Sequence, residues 1–156
     1  MISTNKFKAG ESIQERHFSE GRCFGCGPAN DLGLHLRSFP GSDGLVAEWV
    51  PGQEHEAFPG VLCGGIIGTL LDCHSNWTAW SALFERDGIE RPITVTAGFE
   101  VKLLRPTPLD RAVSLYSKPI VQNENRVKVE ARMESDGKVT VEFRGLFVRP
   151  SRQSLA

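Results

Sequence analysis

Residues 61–84 read VLCGGIIGTLLDCHSNWTAWSALF. The run holds no proline and is too long and too continuous for a strand. Leu62, Ile66, Ile67, Leu70, Leu71, Trp77, Trp80 and Leu83 put apolar groups on almost every face, which is the mark of a helix buried on most sides. One stripe differs. Gly65, Gly68, Thr69, Asp72 and Asn76 recur at i, i+3 and i+4 spacing and draw a small-or-polar line down an otherwise apolar helix. Such a helix must be covered by something.

The flanks supply the cover. Residues 85–91, ERDGIER, are a polar exit loop. Residues 94–104 alternate, with Val95, Ala97, Phe99, Val101 and Leu103 on one face and Thr96, Gly98, Glu100 and Lys102 on the other. Pro106 and Pro108 end that strand. Residues 112–121 make a weaker strand. Residues 126–133 set Val127, Val129, Ala131 and Met133 on one face, and Ser135-Asp136-Gly137 is a turn. Residues 139–148 are the last strand, whose parity breaks near Gly145, where a bulge would explain the switch. Before the helix, residues 34–39 and 45–50 read as a hairpin around Pro40-Gly41-Ser42-Asp43-Gly44. The order is β-β-α-β-β-β-β. Four consecutive strands with short turns favour an antiparallel sheet. The expectation is an α+β chain, with a curved antiparallel sheet wrapped around one long central helix. Residues 1–22 read as an arm, 23–150 as one domain and 151–156 as a disordered tail.

The chain has 156 residues, 40% hydrophobic and 24% charged, with a formal net charge of −1. That length suits one domain with one core. The balance gives no electrostatic case for nucleic acid or a membrane surface as main partner. No run reaches the ~18 apolar residues of a membrane span. The first residues, MISTNKFKAG, contain no apolar core of a secretory signal. The expected compartment is therefore the cytoplasm, with Cys23, Cys26, Cys63 and Cys73 reduced.

Chemistry is expected at the helix start and at Asp72. Gly64-Gly65 let a ligand approach the backbone. The first N–H groups of a helix lack internal partners, and the helix dipole adds partial positive charge there. Such a place suits an anion, or a carbonyl oxygen becoming one. Asp72 is two turns on. Half-buried, it would serve as general base or nucleophile toward a bound carbonyl. On the alternative reading Asp72 faces water on an exposed stripe and the glycines only permit close packing. Residue chemistry alone does not choose between them. Cys63 at a helix start is a candidate thiolate without a base near it in sequence; otherwise it is a small apolar filler. Cys23-x-x-Cys26 is half a zinc motif, with His17 and His35 as conceivable additions, or a tight turn holding two buried thiols. His74 points about 200° away from Asp72 and reads as a satisfied core or interface histidine.

The stretch HEAFPGVLCGGIIGTLLDCHSNWTAW, residues 55–80, resembles the central signature of the hotdog-fold acyl-CoA thioesterase superfamily, above all its phenylacetyl-CoA thioesterase-like branch. His55, Pro59-Gly60, Gly64-Gly65 and Asp72 fall at matching positions. TVTAGFEVKLLRPTPL (94–109) and CFGCGPANDLGL (23–34) resemble further motifs of the branch. The resemblance spans about residues 23–149 and implies roles. The Gly65 N–H would form the oxyanion hole, and Asp72 would activate water or attack directly. Thr96 would assist the water. Substrate contacts would fall to His55, Cys63, Gly64, Thr69, Asn76 and Arg105, the last meeting the phosphates of an acyl-CoA. The site would lie between two subunits of a homodimer, or of a homotetramer built from dimers. No metal or redox cofactor is implied. The branch usually carries His where this chain has Cys63. The resemblance also leaves two alternatives: an acyl-CoA binding protein without turnover, and a hotdog dehydratase or hydratase, which needs a His to pair with Asp72.

Overall fold

The computed structural model describes residues 10–88 and 93–150. The expected tail, the first nine residues and residues 89–92 of the exit loop lie outside them. The helix, α2, spans Gly64–Asp87. It begins at Cys63, whose extended backbone (φ −60°, ψ 129°) caps it without a side-chain hydrogen bond. It ends at Gly88, in the left-handed region at φ +62°, where the Gly88 N–H closes on Phe84 O at 2.8 Å. A glycine takes that conformation without Cβ strain.

Six strands make one antiparallel sheet: β1 (Ser38–Pro40), β2 (Leu45–Trp49), β3 (Val95–Leu103), β4 (Val113–Gln122), β5 (Arg126–Ser135) and β6 (Lys138–Val148), in the order β1-β2-β4-β5-β6-β3. One sheet face packs on α2. Leu70, Leu71, Leu83, Val113, Leu115, Val127, Val129, Met133 and Val141 are wholly buried between them. The β5–β6 turn has Asp136 at φ +53° and Gly137 at φ +73°, the two positive φ values that suit a tight hairpin.

The arm contains a short helix, α1 (Ile13–Phe18), opened by a Ser12/Glu15 capping box. Its buried Gln14 is the anchor. Gln14 Nε2 donates to Ser38 Oγ at 3.0 Å, and the Ser38 N–H donates to Gln14 Oε1 at 2.9 Å. Ser38 Oγ also lies 2.8 Å from Nδ1 of His74.

Three sequence expectations are corrected. Residues 34–37 are not strand: His35 sits at φ +54°, and the N–H groups of Leu34 and Leu36 bond to Phe24 O and Gly25 O rather than to a strand. The break in the last strand is at Thr140, not Gly145: Val141 pairs Met133 but Val139 pairs Glu134. Gly145 keeps the parity, and its lack of a Cβ leaves room for the rings of Phe143 and Phe147, 2.9 and 2.7 Å from where one would stand. The faces of β3 also switch within the strand. Thr96 pairs Phe147 and Gly98 pairs Leu146, so Ala97 is an extra residue in a bulge. Thr96 is thereby turned to the same side as Val101 and Leu103.

Candidate active site

Strand β3 runs antiparallel to α2, and three contacts fix the alignment. The Thr94 hydroxyl donates to Asn76 Oδ1, Thr96 Oγ1 donates to Asp72 Oδ1 at 2.7 Å, and a Cβ at Gly64 would stand 3.4 Å from Leu103 Cδ1. The Ala97 bulge is what aims Thr96 at the helix. Asp72 is half-buried. Burial pushes its carboxyl above the ordinary carboxylate value, the Thr96 hydrogen bond pulls it down, and the nearby Cys23 adds a smaller upward push. Among the described residues Oδ2 receives no hydrogen bond, so one carboxylate oxygen is held and the other is open to chemistry.

The remaining sequence candidates fall into two groups. Gly64 and Gly65 form the first turn of α2, and Gly65 is exposed, with only Cys63 Sγ (3.7 Å) near the place of a Cβ. The N–H groups of that turn lack helical acceptors, the first closed turn being Ile67 N–H to Cys63 O at 3.0 Å. His55 supports the turn from behind. Its carbonyl accepts the Cys63 N–H at 2.9 Å, its Nδ1 accepts the Gly52 N–H at 2.8 Å, and its ring lies 4.8 Å from that of Trp49. Arg105 is exposed just past β3, at this same end of the helix. Thr69 spends its hydroxyl inside the helix, donating to Gly65 O at 3.0 Å. Asn76 is bound to Thr94, beyond Asp72. Asp72 and Gly65 are seven residues apart, or about 10 Å along one helix. A single chain therefore does not bring the Gly65 N–H and the Asp72 carboxylate to one carbonyl.

His74 is fully buried. Its Nε2–H donates to Leu45 O at 3.1 Å, leaving Nδ1 to accept from the Ser38 hydroxyl. Burial pulls its pKa down to about 4, so the ring is neutral. Sequence reasoning missed the Gln14–Ser38–His74 chain, since nothing in the spacing of 14, 38 and 74 announces it. Of the two readings of Cys23-x-x-Cys26, the one with two buried thiols is corrected at Cys23, which is exposed. A concavity of about 890 Å³ lies elsewhere. It sits between charged side chains including Glu100, Lys102, Glu130 and Arg144, and Asp72 does not line it.

An antiparallel sheet curled over one long helix in the order β1-β2-β4-β5-β6-β3 is the hotdog fold. No protein-family model and no curated protein matches the sequence. The structural neighbours include thioesterase superfamily proteins. One, from Shewanella loihica PV-4, is 26% identical with a TM-score of 0.64, the match covering 80% of this chain and 98% of that one. The E. coli PaaI protein, from the phenylacetic acid degradation operon, is 15% identical with a TM-score of 0.65, over 76% of this chain and 81% of that one. A hypothetical thioesterase from Streptococcus pneumoniae TIGR4, solved with coenzyme A, is 15% identical with a TM-score of 0.63, over 74% and 86%.

Proposed function

We propose that this chain is an acyl-CoA thioesterase, hydrolysing acyl-S-CoA and water to a carboxylic acid and CoA, as a cytoplasmic homo-oligomer. The observation that carries the reading is a half-buried carboxylate, Asp72, held through one oxygen by Thr96 on the central helix of a hotdog fold. Oδ2 takes a proton from water as water adds to the thioester carbonyl, or attacks that carbon itself. The oxygen of the carbonyl gains charge and is met by the Gly65 N–H of a second chain, at the positive end of its helix. Collapse expels the CoA thiolate and leaves the carboxylic acid or, after direct attack, a mixed anhydride on Asp72 that water then hydrolyses. Arg105, exposed at the same end, meets the phosphates of CoA, and Cys63, Gly64, Thr69, Asn76 and His55 shape the walls between.

A dehydratase is disfavoured by the histidines. The chain has four. His74 is engaged on both nitrogens, His55 faces Gly52 and Trp49, His17 packs on Trp80 at 4.7 Å, and His35 lies against Arg37. None pairs with Asp72. A binding protein without turnover is favoured by one feature, Cys63 in place of the branch's histidine. Purified protein, a panel of acyl-CoAs and a thiol dye separate the readings. Catalytic thiol release supports hydrolysis; saturable acyl-CoA binding without release leaves only the binding protein; neither outcome with any acyl-CoA removes both.

A further inference from the structure

Three of the four thiols meet at one place outside the proposed catalytic pair. The sulfurs of Cys23, Cys26 and Cys73 all lie within 4.8 Å of one another, and those of Cys23 and Cys73 are 3.6 Å apart. Sulfurs held at about 2.3 Å from a tetrahedral zinc ion stand about 3.8 Å from each other, so the Cys23–Cys73 pair has nearly the spacing of one edge of a tetrahedral face, with the third sulfur close by.

The surroundings hold the three sulfurs together. Residues 23–27 fold back on themselves, the Gly27 N–H closing on Cys23 O at 2.8 Å. The indole N–H of Trp77 donates to the Cys26 sulfur at 3.3 Å. Donors of this kind stabilise charged sulfur and fix the ligands from outside. The turn is pressed so closely on α2 that a Cβ at Gly25 would stand 2.4 Å from Cys73 Sγ, and is itself so tight that one at Gly27 would stand 2.4 Å from the Cys23 nitrogen. Glycine at both positions is what lets a loop thiol pair and a helix thiol converge. A disulfide would use two of the sulfurs and strand the third; a thiophilic ion uses all three.

We propose that Cys23, Cys26 and Cys73 form a three-thiolate zinc site, with water as the fourth ligand on the exposed Cys23 side. Binding sends to solvent the protons that the sulfurs still carry, and each sulfur gives the ion a lone pair; nothing is oxidised or reduced. The site pins the loop of residues 23–27 to α2, next to Asp72, and its argument uses no step of the hydrolysis proposed above.

The test uses the full chain without a metal-binding tag, reduced by a phosphine, stripped of metal and titrated with Co²⁺. Expected are one ion per chain, a sulfur-to-cobalt charge-transfer band with d–d bands of tetrahedral strength, and displacement of both by one equivalent of Zn²⁺. Cys23→Ser, Cys26→Ser and Cys73→Ser should each weaken the charge-transfer band. Each should also raise Kd by more than the roughly 10- to 100-fold that outer-shell partners are worth. Cys63→Ser should leave metal binding as it was. Where a serine variant fails to fold, X-ray absorption at the zinc edge of the unaltered protein decides, three sulfurs and one oxygen being expected. Fewer sulfurs, no charge-transfer band, dependence on Cys63, or a Cys23–Cys73 disulfide in protein prepared without oxygen would overturn the proposal.

Discussion

Asp72 has one oxygen bound to Thr96 and the other open, so the two residues make separable predictions. Asp72→Asn keeps the shape and a hydrogen-bonding oxygen, and should melt near the unaltered protein. It lacks the carboxylate, so kcat should fall by about 10²–10⁴-fold with KM little changed. Steady-state kinetics beside a thermal melt check this; turnover within twofold would return Asp72 to a solvated stripe. Thr96→Val removes one hydrogen bond to a charged group and should cost about 10- to 100-fold in kcat, with Thr96→Ser largely restoring it. Away from the site, Ser38→Ala strands Gln14 Nε2 and Nδ1 of His74 in the interior, and should destabilise the fold by about 1–3 kcal/mol in denaturant unfolding. The carboxylate was legible because helical spacing singles out Asp72 on an apolar helix. The Ser38 network was not, because a polar group's partner across 24 or 36 residues is set by packing and not by any local period.

Elements were legible wherever period and punctuation agree. The helix was read within three residues at each end, and Val127, Val129, Ala131 and Met133 are the buried face of β5. Two of the three failures are register events. A bulge depends on how one strand lies against its neighbour, and neither Ala97 nor Thr140 announces in its own sequence that β6 pairs around the first or β5 around the second. The Ala97 bulge has a functional consequence: unbroken alternation through Ala97 would turn Thr96 away from Asp72. Deleting Ala97 leaves Thr96 opposite Phe147 and Gly98 opposite Leu146 with no residue between them, so Thr96 keeps its face. Turnover should then stay well above that of Thr96→Val. If the deletion variant melts as a folded protein yet loses as much turnover as Thr96→Val, the pairing with Phe147 is not what positions the threonine.

The whole molecule leaves β3 at an open edge of its sheet, and Phe99 (49% exposed), Leu103 (58%) and Leu104 (48%) stand at or beside it. Proteins pair or cover such edges. A second copy would do so, and would also answer the distance of about 10 Å that separates Gly65 from Asp72 along one helix. Sedimentation at micromolar concentration should therefore give at least twice the 17.2 kDa chain mass; a monomer would end the shared-site reading. A stronger test asks whether two broken chains repair each other. Gly65→Pro removes the N–H proposed for the oxyanion, at a first-turn position where a helix tolerates proline and where Gly64 before it has no Cβ to clash. Alone, Gly65→Pro and Asp72→Asn should each be nearly inactive. Mixed by unfolding and refolding together, half of the dimers pair one chain of each kind. In those, one site receives Asp72 from the first chain and Gly65 from the second, while the other site receives neither. Turnover should rise to about a quarter of the unaltered protein's, as random pairing in a twofold dimer requires. A site contained within one chain has no such route to recovery, and a mixture no more active than its parts would show that Asp72 and Gly65 do not serve one thioester across an interface.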